Sequence, residues 1–123
     1  MTEASSPETI DYEGLLDELG GNRPLRRQLL ELLVESTDQS SALIRTAHAA
    51  GDSAALASSA HKLKSALVAF GAQPAADAAS RLEDVGRRAD LDAATPALQR
   101  LQDELTRLQS AVTQLLKDEE VPR

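Results

Sequence analysis

Residues 60–71 read AHKLKSALVAFG and have the spacing of an amphipathic helix that ends at Gly71. They contain His61, one of only two histidines in this chain of 123 residues. A buried imidazole would belong to the packing, whereas an exposed imidazole next to lysines could take part in chemistry. The direction in which His61 points therefore decides between these two roles.

The helix around His61 has a clear apolar stripe. Between residues 52 and 70 this stripe consists of Leu56, Ala60, Leu63, Leu67 and Phe70. At about 100° per residue, these side chains lie within about 40° of one direction, and His61 lies about 140° from it. We therefore expect His61 to face the solvent.

The surface around His61 has an unusual composition for an exposed helix face. Lys64 and Ser65 follow one turn after His61, and the other neighbours are Lys62 and a strip of small or apolar residues, namely Ala54, Ala57, Ser58 and Val68. Small neighbours allow another surface to approach closely, and a lysine three residues away can neutralise an anion on the ring. Access, a nucleophilic nitrogen and nearby positive charge are what a phosphate-accepting histidine needs. We interpret His48 differently, because it precedes Gly51 at a helix end, where a cation favours the helix dipole.

The remaining segments also predict helices. Residues 11–19 form a short first helix, and a long second helix with Pro24 in its first turn runs to about Ala50. The apolar stripe of this second helix is expected to contain Leu25, Leu29, Leu32, Leu33, Leu43, Ile44 and Ala47. A fourth helix opens at Pro74 and pairs Glu83 with Arg87, and a fifth, with a near-heptad leucine seam, begins either near Asp92 or at Pro96.

No segment alternates with the period of a strand, so the fold class is all-α. Short connections favour antiparallel neighbours, which predicts an up-down-up-down four-helix bundle with a short additional N-terminal helix. We expect a flexible N-terminus over residues 1–9, the bundle over residues 10–117 and a polar C-terminal tail over residues 118–123.

Composition excludes several classes of function. There is no cysteine, no long apolar run and no signal-peptide pattern, so we expect a cytoplasmic protein that is not inserted in a membrane. The net charge is −7 and residues 1–20 carry six acids and no base, which argues against nucleic acid as a partner. The glycines form no phosphate-binding loop and the acids form no metal cluster, so we expect no cofactor, no metal and no kinase activity of its own.

The stretch AHKLKSA, with Gly71 ten residues after the histidine, resembles the signature of histidine-containing phosphotransfer (HPt) domains. The segment RLEDVGRRADL, residues 81–91, and the opening IDYEGLLDELGG, residues 10–21, are also similar to that family. The resemblance covers roughly residues 10–116. The chain departs from the family at Ser65, where glycine is more frequent, and at Ala89, which replaces a frequent glycine.

The resemblance implies that His61 carries a phosphoryl group between the aspartates of response-regulator receiver domains, one of which can belong to a hybrid sensor histidine kinase. It implies that Lys64 stabilises the phosphoryl group and that the small residue at position 65 admits the partner; the Ser65 hydroxyl could also bond the phosphate. The first helix, with Tyr12, Leu15 and Leu16, resembles the segment that borders the family's docking surface. The protein is then a monomeric phosphocarrier.

Two other functions are open to a chain of this kind. One is a helical adaptor that binds a receiver or a kinase without phosphate transfer, against which the intact His61 and Lys64 argue. The other is a small enzyme that uses His61 as a general base. The second is disfavoured because no carboxylate is spaced along the sequence to orient the ring, and because an outward helix face offers no pocket.

Overall fold

The computed structural model describes residues 9–120, and these residues form five helices and no strand. The helices are α1 (Tyr12–Glu18), α2 (Arg23–Ala49), α3 (Ser53–Ala69), α4 (Gln73–Arg87) and α5 (Leu91–Glu120). Packing runs in a closed circuit from α2 to α3, α4, α5 and back to α2, while α1 lies against α2. Three-residue connections join α2 to α3, α3 to α4 and α4 to α5, so consecutive helices of the circuit are antiparallel. The predicted all-α four-helix bundle with a short extra N-terminal helix is confirmed.

Side chains at the helix starts explain where the helices begin. Asp11, Asn22, Asp52 and Asp90 each accept a hydrogen bond from the backbone N–H three residues ahead, at 3.0–3.2 Å. Asp90 settles the start of α5 at Leu91, so Pro96 lies inside the helix. Because proline has no N–H, the backbone carbonyl of Asp92 lacks its helical hydrogen bond. Asp92 is exposed, so water can donate to this carbonyl instead.

The core is aliphatic and consists mostly of leucine and alanine. Its fully buried large side chains are Leu30, Ile44, Leu56, Leu63, Leu67, Leu82, Leu101, Leu108 and Val112. In α4 the residues that face the other helices are mainly alanines, which allow a close approach to α3. The two helices are close at Gly86, where an added Cβ would lie 2.9 Å from the backbone nitrogen of Ala57.

The stripe expected on α2 is partly wrong. Leu32 and Leu43 are 58% and 63% exposed, and Leu25 is also exposed, whereas Leu30 is fully buried. The core-facing side of α2 includes two polar residues, Arg26 and Thr37, as well as Leu30, Leu33, Ile44 and Ala47. A count of apolar residues alone therefore placed the stripe too far around the helix.

The end of α5 holds α1 against α2. The buried guanidinium of Arg26 lies 3.5 Å from the centroid of the Tyr12 ring and 3.1 Å from Oε2 of Glu119, and the Tyr12 hydroxyl donates to the same carboxylate. Helix α5 continues through residues 118–120, which were expected to be part of a polar tail, and Glu119 makes these contacts from its last turn. The expected flexible segment lies outside the described residues except for Thr9, which is buried, and residues 121–123 also lie outside them.

Candidate functional site

His61 lies in the middle of α3 and its side chain is 53% exposed. Its neighbours Ala60 and Leu63 point into the core, so the helix geometry turns the imidazole outward, as the periodicity predicts. The ring is nevertheless not free on both edges, because Nδ1 lies 2.9 Å from Oε2 of Glu83 on α4.

Glu83 is a buried carboxylate beneath an exposed ring. Its side chain is only 5% exposed, and it comes within reach of α3 because the two helices approach closely where Gly86 meets Ala57. The expectation that no carboxylate orients the ring is therefore wrong: the carboxylate comes from the next helix. A signal was present in the sequence, since Glu83 falls on the apolar face of α4 that also holds Ala76, Ala79 and Gly86.

Two cations share the carboxylate with His61. Nζ of Lys64 lies 2.9 Å from Oε1 of Glu83, and a guanidinium nitrogen of Arg87 lies 2.5 Å from Oε2. The hydrogen bond from Lys64 is the main cause that lowers the pKa of Glu83, with further contributions from His61 and Arg87; burial opposes them. Glu83 is therefore ionised near neutral pH, and the four groups together carry a net positive charge.

This arrangement selects one tautomer of the neutral ring. An ionised carboxylate can only accept hydrogen bonds, so Nδ1 of His61 must carry the proton that it donates to Glu83. The lone pair of a neutral imidazole then lies on Nε2, at the opposite edge of the ring. His61 thus presents a nucleophilic nitrogen on its solvent side.

The strip expected to form the docking surface is narrower than its sequence suggested. Ala54, Ser58, Lys62, Ser65 and Val68 are exposed, and Val68 is 55% exposed. Ser65 donates its hydroxyl to the backbone carbonyl of His61, at 3.2 Å, and so is turned along the helix.

Two members of that expected surface, Ala57 and Leu15, are buried, and the expectation that Ala57 lies on the exposed strip is wrong. Ala57 is 8% exposed because it packs against Gly86 of α4. Leu15 is 7% exposed because α1 inserts it into the core, while Tyr12 and Leu16 on the same helix are half-buried.

Other groups considered for chemistry are not part of this site. His48 is half-buried near the end of α2, where its Nε2 lies 3.1 Å from the hydroxyl of Thr95. Among residues 9–120, no histidines and acids cluster in a way that could hold a metal ion. In the same part of the chain, none of the helices combines the length and the apolar character that crossing a membrane requires.

A bundle with an outward imidazole, held by a carboxylate and flanked by cations, has the features of a histidine phosphotransfer domain. The family model of the Hpt domain matches residues 28–111, and the chain belongs to this family. It is accordingly a phosphotransfer intermediate of two-component signalling, a class that carries phosphate rather than acting as a kinase and that interacts with receiver domains and hybrid kinases.

Two solved structures are similar over nearly the whole chain. The HPT domain of the Hpt sensor hybrid histidine kinase from Shewanella is 26% identical with a TM-score of 0.78, over 94% of this chain and 100% of that one. Histidine-containing phosphotransfer protein B from Pseudomonas aeruginosa PAO1 has a TM-score of 0.84 at 23% identity, over 93% and 98% of the two chains. The second likeness establishes the fold alone. No curated protein was found to match the sequence.

Proposed function

We propose that this protein accepts a phosphoryl group on Nε2 of His61 from the aspartyl phosphate of one receiver domain and passes it to the aspartate of another. The observation that carries the proposal is the 2.9 Å contact between Nδ1 of His61 and the buried carboxylate of Glu83. This contact fixes the proton on Nδ1 and leaves the Nε2 lone pair at an exposed edge of the ring.

The transfer step is a displacement at phosphorus. The Nε2 lone pair forms the N–P bond while the bond from phosphorus to the aspartyl oxygen breaks, and the electron pair of that bond leaves with the carboxylate. The proton on Nδ1 stays in the hydrogen bond to Glu83, whose negative charge stabilises the positive charge that develops on the ring. Onward transfer is the same displacement in reverse, with a second aspartate as nucleophile.

Three side chains next to His61 have supporting roles in the proposal. Lys64 and Arg87 supply positive charge beside the ring, and Lys64 stabilises the phosphoryl group. Ser65 leaves room for the partner, and a rotation of its hydroxyl away from the carbonyl of His61 would bring a further donor towards the phosphate.

The docking surface proposed for the receiver follows the exposed side of α3. It consists of Ala54, Ser58, Lys62, Ser65 and Val68 around His61, with Leu16 of α1 at its edge. Apart from Lys62, these residues are small or apolar for an exposed helix face, which suits a partner whose own active site must reach His61. Tyr12 is left out of this surface, because its ring lies against Arg26 and its hydroxyl donates to Glu119.

Incorporation of label from ATP tests whether the protein depends on its partners. Since the chain has no phosphate-binding loop, purified protein with ATP and magnesium should remain unlabelled until a kinase or a phosphorylated receiver is added. We further propose that the protein acts as a cytoplasmic monomer without a cofactor, and its net charge of −7 argues against nucleic acid as a partner. Labelling by ATP alone would contradict the first of these proposals.

The decisive experiment compares His61→Gln with His48→Gln. His61 is half-exposed, so its replacement should change the melting temperature little but abolish transfer from a phosphorylated receiver, because glutamine has no nucleophilic nitrogen. His48→Gln should still accept the label. The label on the wild-type protein should be lost in acid and kept in alkali, as expected for a phosphoramidate.

A helical adaptor that binds receivers without accepting phosphate is the competing function. It predicts that His61→Gln binds receivers normally and that the wild-type protein never takes up label. Acceptance of label by His61→Gln, or modification of His48 instead, would overturn the assignment of His61.

A further inference from the structure

Glu83 has more cationic and hydrogen-bond partners than orienting a histidine requires. One oxygen accepts from Lys64 at 2.9 Å, and the other is shared by Arg87 at 2.5 Å and by His61 at 2.9 Å. The two cations next to the phosphate-accepting ring are therefore both committed to a carboxylate that is only 5% exposed. The binding of both cations to Glu83 affects the chemistry only when His61 carries a phosphoryl group. The inference below therefore rests on the proposed function.

We infer that Glu83 also competes with the phosphoryl group for Lys64 and Arg87, and thereby keeps the phosphohistidine short-lived and ready for onward transfer. Glu83 is in this sense a positioning residue, because it acts on the phosphoryl group only through its neighbours.

The geometry of the ring supports this competition. Nδ1 and Nε2 lie on opposite edges of the imidazole, so Glu83, bound at Nδ1, holds the two cations on the side away from the phosphoryl group. The exposed fractions of their side chains, 29% for Lys64 and 66% for Arg87, leave both free to swing towards Nε2 if Glu83 releases them.

Burial explains why Glu83 does not release them easily. A carboxylate that has lost its water depends on its remaining partners, and the removal of a cation from it costs more than the loss of the same pair at the surface. A solvent-exposed phosphoryl group attracts Lys64 and Arg87 less strongly than the buried carboxylate does, because water already solvates much of its charge. Lys64 and Arg87 are therefore shared between Glu83 and the phosphoryl group. The N–P bond is then less protected from hydrolysis than it would be if both cations bound the phosphoryl group alone.

Glu83→Gln separates the two roles of this side chain. The glutamine carbonyl still accepts from Nδ1 of His61, so the tautomer is kept, but the amide no longer holds Lys64 or Arg87 by charge. The measurement is the half-life of phosphohistidine on purified protein after the donor receiver has been removed. The matched control is Asp84→Asn, which removes an acid from the same helix that pairs with Arg88 at 3.0 Å.

We expect Glu83→Gln to lengthen the half-life by about two- to fivefold, the scale of one partly exposed charge interaction, and to slow onward transfer. In the Glu83→Gln background, Lys64→Ala and Arg87→Ala together should cancel the lengthening, because neither released cation is then left to reach the phosphoryl group. Asp84→Asn should have no effect. A half-life that Glu83→Gln leaves unchanged or shortens would overturn the inference.

Persistence of the lengthening after both cations have been removed would overturn it as well, because the carboxylate would then act only through the charge of the ring. If Glu83→Gln does not fold, Glu83→Asp still tests the inference: its shorter side chain should hold Lys64 and Arg87 less closely and lengthen the half-life, and an unchanged or shortened half-life contradicts it. Failure of the wild type to take label on His61 would overturn the proposed function and this inference together, whereas labelled His61 with an unaltered variant half-life refutes this inference alone.

Discussion

Gly86→Ala should disturb both the fold and the site through a single methyl group. A Cβ at position 86 would lie 2.9 Å from the backbone nitrogen of Ala57 and 3.1 Å from its Cα and Cβ. Ordinary contacts of this kind begin about 0.5 Å further out, and a backbone atom cannot rotate away. Helices α3 and α4 must therefore separate locally by roughly that distance.

The energetic outcome is a balance between two opposing effects. Overpacking of this kind costs about 1–3 kcal/mol, whereas alanine is preferred over glycine inside a helix by about 1 kcal/mol. Residue 86 lies in the last turn of α4, where the helix preference counts for less. We expect a net loss of about 1–2 kcal/mol, which corresponds to a fall in melting temperature of about 4–8 °C.

The same separation would lengthen the contact between His61 and Glu83. A shift of about 0.5 Å takes the present 2.9 Å contact beyond the range of a good hydrogen bond. Phosphate acceptance should therefore slow by up to about tenfold even at temperatures where the variant is fully folded.

Urea unfolding and transfer from a phosphorylated receiver measure the two effects, with Ser80→Ala as the control. Ser80 is an exposed residue of the same helix, so its replacement changes helix preference without overpacking and should be neutral or slightly stabilising. A Gly86→Ala variant as stable as the wild type would refute the close approach of the two helices. Normal transfer in a destabilised variant would refute the link from this contact to the site.

Three further changes test other parts of the structure. Ser65→Trp should weaken receiver binding at least about tenfold while the helical circular dichroism is unchanged, because bulk is added at the centre of the proposed surface; normal affinity, measured by calorimetry, would mean that the interface lies elsewhere. The lowered pKa of Glu83 means that its ionised form stabilises the fold above the ordinary carboxyl pKa of about 4.3, and that this contribution is lost as the pH falls through the lower folded value. Glu83→Gln should therefore show a weaker loss of unfolding free energy below about pH 4, and an unchanged acid profile would contradict this. Glu119→Gln should lower the free energy of unfolding by about 1–2 kcal/mol and increase hydrogen exchange in α1, because Arg26 loses its charged partner. The control Asp118→Asn, on the same turn, should change neither quantity.

The helices could be predicted from the sequence because their limits are set locally. Asp52 and Gly51 mark a boundary in the printed chain, and they act there through a hydrogen bond at 3.0 Å and a left-handed φ of +67°. The end of α5 could not be predicted in this way. Glu119 in its last turn pairs with Arg26, a residue 93 positions earlier in the chain, and helical periodicity does not predict such a contact.

The outward direction of His61 was also predictable, because helical periodicity fixes the angle between two side chains of one helix. Its pairing with Glu83 was not predictable. The place of Glu83 on the apolar face of α4 indicated burial, but periodicity does not describe how far one helix lies from the next. The same limit explains the error at Ala57, which faces away from the core stripe of α3 but is covered by α4.

The burial of Ala57 and the contact between His61 and Glu83 have one physical cause, which is the close packing of α3 and α4. Gly86 and the alanines of α4 bring that helix close enough to α3 to cover Ala57, and the same approach places Glu83, one turn earlier, under the edge of His61. A larger residue at position 86 would leave His61 just as exposed, but without the acceptor that selects its tautomer. The tautomer of the imidazole therefore depends on the contact between two helices, and the small residues in that contact support the chemistry proposed for His61.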